Sequence, residues 1–156
     1  MYVAMALLIS SCATSKQART YQHTINGNWS VVSVKTEGIS GKVIAKSFNE
    51  ANATCFEGST WSFNEHTNLG SYVILKNAGD CAAMKREIRW SVYEAAGQPK
   101  SFQFKRLDSK LKEIDENGGG FRMNISQIDK TTMTLRSEIT FEGKPAAIVY
   151  SFERKQ

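Results

Sequence analysis

Apolar and polar residues alternate along most of the chain that follows Gly27. An alternation with a period of two residues is typical of β-strands that bury one face and expose the other. The pattern is clearest at residues 88–92, where Ile, Trp and Val alternate with Arg and Ser. Eight such segments can be traced, and they start near residues 29, 60, 71, 88, 102, 121, 132 and 146. The pattern therefore predicts a domain built from eight β-strands.

Short linkers that contain Gly, Asn or Asp separate most of these segments, for example residues 117–120 and 142–144. Such linkers usually join antiparallel neighbours. Eight antiparallel strands in up-and-down order either close into a barrel or form two packed sheets. Closure removes the exposed strand edges that a sheet protein must otherwise protect. We therefore predict an all-β fold, an eight-stranded antiparallel up-and-down β-barrel over residues 27–156.

The alternation also assigns an inner and an outer face to each strand, because successive side chains of a strand point to opposite sides. In the first strand it places Trp29, Val31 and Ser33 on one face, with Val32 and Val34 on the other. Inward-facing positions are predicted at Trp29, Trp61, Ile88, Trp90, Phe102, Phe104, Phe121, Met133, Leu135, Ile148 and Tyr150. Outward-facing positions are predicted at Glu87, Arg89, Lys105, Arg122, Arg136 and Glu138.

Residues 36–57 form a long linker with weak periodicity after the first strand. Loops of this length are usually lids or binding loops, or else they are disordered. Ser47 is followed three residues later by Glu50, which is the arrangement of a helix capping box. This spacing predicts a helical turn over residues 47–53.

The chain begins with a short apolar stretch, residues 3–9, which is followed by Ser10, Ser11 and Cys12. A short apolar stretch that ends in small residues is typical of a secretory signal and is too short to cross a membrane. The run from Ile9 to Cys12 resembles the lipobox of bacterial lipoproteins, which implies that residues 1–11 are a signal peptide and that Cys12 carries the lipid anchor. The alternative is a buried strand with a free thiol, and residues 1–11 contain no Lys or Arg of the kind that usually opens a signal peptide.

Residues 12–26 are predicted to be the acylated cysteine and a flexible tether, because residues 13–26 are polar and aperiodic. Stable membrane anchoring takes at least two membrane signals, and a multiply acylated Cys12 meets that requirement. No acidic run follows the cysteine. We therefore expect an outer-membrane lipoprotein of the cell envelope that faces the periplasm.

The two remaining cysteines, Cys55 and Cys81, suggest one disulfide in a secreted domain. The metal alternative would add His66, but a structural zinc site needs four ligands, usually in closely spaced pairs, and the sequence has no such pair. A catalytic cysteine with His66 as base is the other alternative, and an oxidising compartment argues against a lone thiol nucleophile. We predict the disulfide.

The net charge of +5 raises the question of an anionic partner. The basic residues are interleaved with acidic ones, and the densest groups are Lys85-Arg86 with Arg89, and Lys105-Arg106 with Lys110 and Lys112. Neither group is an uninterrupted basic run, so we interpret both as solvated outer faces of strands and predict no nucleic-acid partner.

The sequence offers little for catalysis. It contains two histidines, His23 and His66, and lacks a glycine-rich phosphate loop, a metal-binding histidine motif and a Gly-x-Ser-x-Gly sequence. We predict no enzyme activity, no catalytic residue, no metal site and no cofactor.

Several short motifs follow one another along residues 27–154. Gly27-Asn28-Trp29 opens the first strand, and the later motifs are GSTWSF at 58–63, GSY at 70–72, IRWSV at 88–92, MTL at 133–135 and VYSF at 149–152. In these motifs the chain resembles the bacterial lipocalin-like family of small lipoproteins. The resemblance implies an eight-stranded barrel with a small apolar pocket, no catalysis and no obligatory cofactor. It also implies that Trp29 closes one end of the barrel, with Arg154 as the arginine that packs over it.

Two functions remain open for such a barrel, because eight strands enclose a space that either fills with side chains or holds one small ligand. The first is the binding of a small hydrophobic ligand. The residues that would line its site are Trp61, Tyr72, Trp90, Phe102, Phe104, Phe121, Met123 and Tyr150. The alternative is a non-catalytic structural or protein-interaction lipoprotein of the cell envelope with a filled interior, which the many large inward side chains favour.

Overall fold

The structure is a computed structural model that describes residues 14–40 and 45–156. The predictions for the signal peptide and for Cys12 lie outside the described residues. The strands are β1 (Gly27–Glu37), β2 (Lys46–Ser47), β3 (Ala51–Asn52), β4 (Thr60–Asn64), β5 (Leu69–Ile74), β6 (Met84–Tyr93), β7 (Ser101–Leu107), β8 (Phe121–Ile128), β9 (Thr132–Phe141) and β10 (Lys144–Arg154). The helices are α1 (Lys16–Ile25) and two short 3₁₀ helices, Ala53–Phe56 and Glu116–Gly118.

Eight of the strands close into one antiparallel barrel in the order β1, β10, β9, β8, β7, β6, β5, β4 and back to β1. Strands β4 to β10 pair in sequence order, and β1 closes the barrel by pairing with both β10 and β4. The two shortest strands, β2 and β3, form a separate ribbon within the long loop. The predicted eight-stranded up-and-down barrel is therefore confirmed.

The core of the barrel is aromatic, with Trp29, Trp61 and Trp90 almost completely buried. Every residue predicted to face inward is buried except Phe121, which is half-buried. The indole N–H of each tryptophan donates a hydrogen bond, to Ile25 O, Ser59 Oγ and Leu69 O respectively. Because the polar edges of these side chains have partners, their burial is not penalised by unmet hydrogen bonds.

The face assignment of the first strand is wrong beyond Val31. A β-bulge lies between Val31 and Ser33, and it shifts the pairing with β10 by one residue. As a result Val34, opposite Tyr150, packs against the core, whereas Val32 is 47% exposed. A bulge inserts an extra residue into the strand and so reverses the alternation that follows it.

One end of the barrel, here called the floor, is covered by α1. The helix starts after Ser15, whose hydroxyl accepts a hydrogen bond from Ala18 N at 3.1 Å. Ala18 and Ile25 are fully buried, and Tyr21 packs against the core. These positions recur at helical spacing. The prediction of an aperiodic tether is therefore wrong for residues 16–25. None of the helices in the described ranges is long and apolar enough to cross a membrane.

Arg154 joins the floor to α1 and confirms the position that the resemblance implies for it. Its guanidinium lies 4.2 Å from the centre of the Trp29 ring. The same group donates to the carbonyl oxygens of Asn26 at 2.8 Å and Lys130 at 2.6 Å, and also to that of Thr24. A Cβ atom on Gly27, whose φ is +117°, would lie 2.6 Å from Arg154 Nη1, so this close approach requires glycine.

We expect Arg154→Ala to lower the free energy of unfolding by about 1–3 kcal/mol, because two carbonyl oxygens at the end of α1 and that of Lys130 lose their donor. Arg154→Lys should recover little of this loss, since an ammonium group cannot reproduce the planar fork of donors. Urea unfolding followed by tryptophan fluorescence measures both. The control is Arg89→Ala, an exposed arginine whose contact with Glu113 is 3.5 Å long. Equal stability of the Arg154 and Arg89 variants would contradict this account of the floor.

Candidate functional site

The opposite end of the barrel, here called the mouth, is closed by part of the long loop. Residues 45–57, here called the inserted loop, place the side chain of Phe48 among the aromatic rings of the strands, and Phe48 is 6% exposed. Its ring centre lies 5.1 Å from that of Phe104 and 5.6 Å from those of Phe121 and Tyr150. The ring of Trp61 is 6.1 Å away. The interior of the mouth is therefore filled by a loop residue and not by the strands alone.

The inserted loop is a tight hairpin and not the helical turn predicted over residues 47–53. Strands β2 and β3 pair through Ser47 and Ala51, and Glu50 N donates to Ser47 O at 3.0 Å. Phe48 and Asn49 at its tip have φ values of +54° and +51°. This left-handed conformation is tolerated by Asn but is strained for a bulky residue such as Phe, at about 1–3 kcal/mol. Packing of the Phe48 ring offsets that strain.

Glu50 fixes the inserted loop to two arginines inside the mouth. Its carboxylate accepts hydrogen bonds from Arg86 Nη2 at 2.6 Å and Arg86 Nε at 2.9 Å, which is a forked contact with one guanidinium. It also accepts from Tyr72 OH at 2.8 Å and from Arg106 Nη1 at 3.3 Å. The side chains of Glu50, Arg86 and Arg106 are 9%, 22% and 11% exposed. Glu50 is thus the anion that pairs with both cations.

Arg106 has a second anionic partner, Asp115, which comes from the loop between β7 and β8. Arg106 Nε lies 3.1 Å from both carboxylate oxygens of Asp115, and Nη2 also contacts this side chain. The interpretation of Arg86 and Arg106 as solvated outer residues is therefore wrong. Arg86 lies two residues from Ile88 and Arg106 two residues from Phe104, so each shares the inner face of its strand with a buried residue. Their neighbours Lys85, Arg89 and Lys105 lie on the outer face.

The electrostatics of the mouth favour an ionised Glu50 and neutral tyrosines. Burial alone would raise the pKa of Glu50, but hydrogen bonds from Arg86 and Tyr72 and the charges of both arginines outweigh it and hold this pKa below its usual value. Burial, and then the hydrogen bond to Glu50, raise the pKa of Tyr72. Burial likewise raises the pKa of Tyr150. Tyr72 therefore stays protonated and acts as a donor.

Two further contacts hold the inserted loop. The hydroxyls of Ser47 and Tyr150 share a hydrogen bond inside the barrel. At the other end of the loop Cys55 forms a disulfide with Cys81, with a Cα–Cα distance of 5.4 Å. The predicted disulfide is therefore confirmed. Phe56, beside Cys55, is fully buried with its ring centre 5.1 Å from that of Phe48.

The residues predicted to bind a ligand fall into two groups. Trp61, Phe104, Phe121 and Tyr150 surround Phe48, and Tyr72 packs against Trp61 with ring centres 4.7 Å apart. The others lie nearer the floor: Trp90 stacks on Phe102 at 5.9 Å, both contact Phe63, and Met123 is paired with Phe102 across β7 and β8. The structure brings the first group together around one space, whereas the second is packed core.

A depression of about 390 Å³ opens beside the mouth and is bordered by Asn49, Arg106, Asp115 and Phe121. It reaches both the tip of the inserted loop and the arginine network. A second depression, of about 470 Å³, lies on the outer face of the sheet, where Arg89, Lys105 and Arg122 border it. Within residues 14–40 and 45–156, no group of three or more His, Cys, Asp or Glu side chains is placed to hold a metal ion.

The roles of Phe48 and Glu50 and the inward position of the two arginines were not predicted from the sequence. The inward position of both arginines nevertheless follows from the sequence pattern. The alternation continues from Ile88 back to Arg86 and from Phe104 on to Arg106, and it assigns both to the inner face. Phe48 and Phe56 are aromatic residues in an otherwise polar loop, which is a weaker signal. The insertion itself depends on the space that the strands leave, and local sequence does not encode that space.

The sequence model of the family described as "Lipocalin-like domain" matches residues 25–135, from the end of α1 to the middle of β9. No curated protein sequence matches the chain. Among solved structures, bovine odorant-binding protein in complex with a selenium-containing odorant is similar at a TM-score of 0.45 and 10% identity, over 92% of this chain and 78% of that chain. The odorant-binding protein from bovine nasal mucosa gives a TM-score of 0.37 and 8% identity, over 94% of this chain and 78% of that chain.

We expect Glu50→Gln to lower the free energy of unfolding at pH 7 by about 1–3 kcal/mol, because Arg86 and Arg106 lose an anion inside the mouth. A carboxyl whose pKa is lowered by folding stabilises the protein above its ordinary pKa, and this contribution disappears as the pH falls through the lower folded value. The stability difference between wild type and Glu50→Gln should therefore shrink as the pH is lowered into the acid range.

Urea unfolding at pH 7 and at a series of lower pH values measures this difference. Asp115, Tyr72 and both arginines are present in the two proteins, so the comparison changes only the side chain at position 50. A difference that persists undiminished in acid would contradict the assigned role of the Glu50 carboxylate.

Proposed function

This chain belongs to the family of lipocalin-like domains, and from that premise we propose that its barrel binds a small hydrophobic ligand in the space that Phe48 fills. The observation that carries the proposal is that a loop residue, and not a strand residue, occupies the centre of the mouth. Withdrawal of Phe48 would leave a chamber walled by the rings of Trp61, Phe104, Phe121 and Tyr150. Ligand sites are typically concave and apolar with a few polar groups, as this chamber would be.

The balance of energies makes such an exchange feasible. Burial of a phenylalanine side chain contributes about 1.5–3 kcal/mol, and the left-handed backbone at Phe48 opposes it by about 1–3 kcal/mol. A ligand that buries more apolar surface than the Phe48 ring can therefore displace it. The disulfide at Cys55 fixes one end of the inserted loop, so the movement is confined to the residues before it.

The second candidate is a non-catalytic scaffold or protein-interaction lipoprotein with a permanently filled barrel. The observation that favours it is the same insertion, since Phe48 is buried and its loop is held by Glu50 and Ser47. The two functions differ in one property, which is whether the inserted loop can be exchanged for a ligand. Neither involves a catalytic step, as is general for lipocalins.

We further propose that the protein is held at the outer membrane, facing the periplasm, by a lipid on Cys12. The support is the lipobox-like run from Ile9 to Cys12. The helix that follows covers the floor, and Ser15 N donates to Glu94 Oε2 at 3.2 Å at that end of the barrel. An anchor attached there would leave the mouth, at the opposite end, free to receive a ligand.

We expect the neutral fluorescent probe N-phenyl-1-naphthylamine to bind the full chain saturably at one site. Phe48→Ala should raise the affinity about tenfold or more, because the binding-competent open state no longer has to be formed at the expense of Phe48 packing. Phe63→Ala is the matched control: it removes the same ring from the group packed with Trp90 and Phe102, and should leave the probe affinity unchanged.

Probe fluorescence titration measures these affinities, and near-ultraviolet circular dichroism checks that each variant is folded. Absence of saturable binding by both wild type and Phe48→Ala would reject ligand binding and leave the filled scaffold. An equal gain in Phe63→Ala would show that the probe enters any cavity and not the mouth in particular.

For the anchor, we expect Cys12→Ala to move the protein from the detergent phase to the aqueous phase in a Triton X-114 partition. Mass spectrometry of the mature wild-type protein should find Cys12 as an acylated first residue. An intact Met1 with an unmodified Cys12 thiol would show that the anchor assignment is wrong. Ser11→Ala, which keeps a small residue before the cysteine, is the control that should still partition into detergent.

A further inference from the structure

We propose that the ligand of the mouth carries an anionic head group, which binds Arg86, Arg106 and Tyr72 in the place that Glu50 occupies. This inference rests on the proposed function and deepens it by naming the chemistry of the ligand. The ligand class is a single-chain apolar molecule that ends in a carboxylate, such as a medium-chain fatty acid.

The inserted loop itself shows what the mouth accepts. Phe48 supplies an apolar group to the aromatic chamber, and Glu50, two residues later, supplies a carboxylate to the arginines. Both side chains come from one hairpin tip and enter the barrel together. An amphiphilic anion combines the same two groups in one molecule. The tip of the inserted loop thus occupies the site with the same chemical groups as such a ligand.

The charges of the mouth favour an anion as the ligand that replaces the loop tip. Two arginines, Arg86 and Arg106, face two carboxylates, Glu50 and Asp115, so that the closed mouth is balanced. If Glu50 leaves with Phe48, Arg86 loses its carboxylate while it remains inside the barrel. Leaving a largely buried cation without a partner is strongly unfavourable. A neutral apolar molecule would replace Phe48 but leave this cation unpaired, whereas an anionic amphiphile replaces both groups.

The donors are arranged for a carboxylate. Arg86 presents Nε and Nη2 to the two oxygens of Glu50, which is the bidentate geometry that guanidinium groups form with carboxylates and phosphates. Tyr72 OH adds a third donor and Arg106 Nη1 a fourth. The depression bordered by Asn49, Arg106, Asp115 and Phe121 opens Arg106 to solvent, so an incoming head group can approach this arginine beside the loop tip.

The test compares four ligands of equal chain length with the full-length protein by isothermal titration calorimetry, each below its micelle concentration. They are decanoate, decyl phosphate, neutral decanol and cationic decylamine. Decanoate should bind at least about tenfold more tightly than decanol, and decylamine should bind most weakly. The phosphate arm separates a requirement for a carboxylate from a requirement for any anion.

Arg86→Gln and Arg106→Gln should each weaken decanoate binding about tenfold or more. Neither variant should weaken decanol binding, because decanol makes no use of the cations. The matched controls are Arg89→Gln and Lys105→Gln, which remove one positive charge from the outer face of the same two strands. Because these controls lower the net charge equally, they separate the mouth arginines from a general attraction of a basic protein for anions. Both controls should bind decanoate like the wild type.

Glu50→Gln provides a variant that keeps both arginines, for the case that an arginine variant does not fold. It should bind decanoate more tightly than the wild type by about threefold or more, because the competing carboxylate is gone. Its affinity for decanol should rise less. No gain for decanoate would overturn the proposal.

The outcomes separate this inference from the function on which it rests. If decanol and decanoate bind with equal affinity to the wild type and to Phe48→Ala, the barrel binds apolar ligands and the anionic head group is wrong. If none of the four ligands binds either protein, the proposed ligand-binding function itself fails. If decanoate is preferred but Arg89→Gln abolishes the preference, the anion binds on the outer face and the assignment to the mouth is overturned.

Discussion

Two guanidinium groups inside one end of an aromatic barrel must be paired with anions, because an unpaired charge in such a place is strongly destabilising. The strands supply Arg86 and Arg106 but not their partners, which come from two loops as Glu50 and Asp115. Both loops must therefore fold over the mouth. Glu50 brings Phe48 with it, and Phe48 then fills the space between Trp61, Phe104 and Tyr150. The closure of the mouth thus follows from the need to neutralise the arginines.

The floor and the mouth are both closed by an arginine, but in physically different ways. At the floor, Arg154 donates to the backbone carbonyls of Thr24 and Asn26, which cannot move away without unfolding the end of α1. At the mouth, the acceptor is a side-chain carboxylate on a hairpin whose tip has strained backbone angles. A carboxylate can be replaced by another anion, whereas a backbone carbonyl cannot. This difference makes the floor a fixed element of the fold and the mouth the end at which exchange is feasible.

Features of the structure that depend on local periodicity, or on the chemistry of single residues, could be predicted from the sequence. The eight strands and the disulfide between Cys55 and Cys81 are of this kind, whereas the contact of Arg154 with Trp29 was implied by the resemblance to the lipocalin-like family. Prediction failed where one extra residue reverses a strand face, as at the bulge after Val31, and where a mostly polar segment such as α1 is stabilised by tertiary contacts. The insertion of Phe48 is harder still, since it depends on the volume left between strands that are distant in sequence.

The inserted loop also explains how an aromatic chamber can exist without collapsing or attracting unrelated apolar molecules. An empty space lined by Trp61, Phe104, Phe121 and Tyr150 would either shrink or bind any apolar compound of suitable size. Because Phe48 fills this space, a ligand can bind only the fraction of molecules in which the inserted loop has withdrawn. The apparent affinity of every ligand is lowered by that fraction. Because Phe48 and Glu50 leave together, a ligand compensates fully for this lower affinity only if it replaces both the packing of Phe48 and the ion pairs of Glu50. The loop therefore converts a general apolar site into one that distinguishes molecules by their head group, since specificity is a difference between affinities and not the affinity for one ligand.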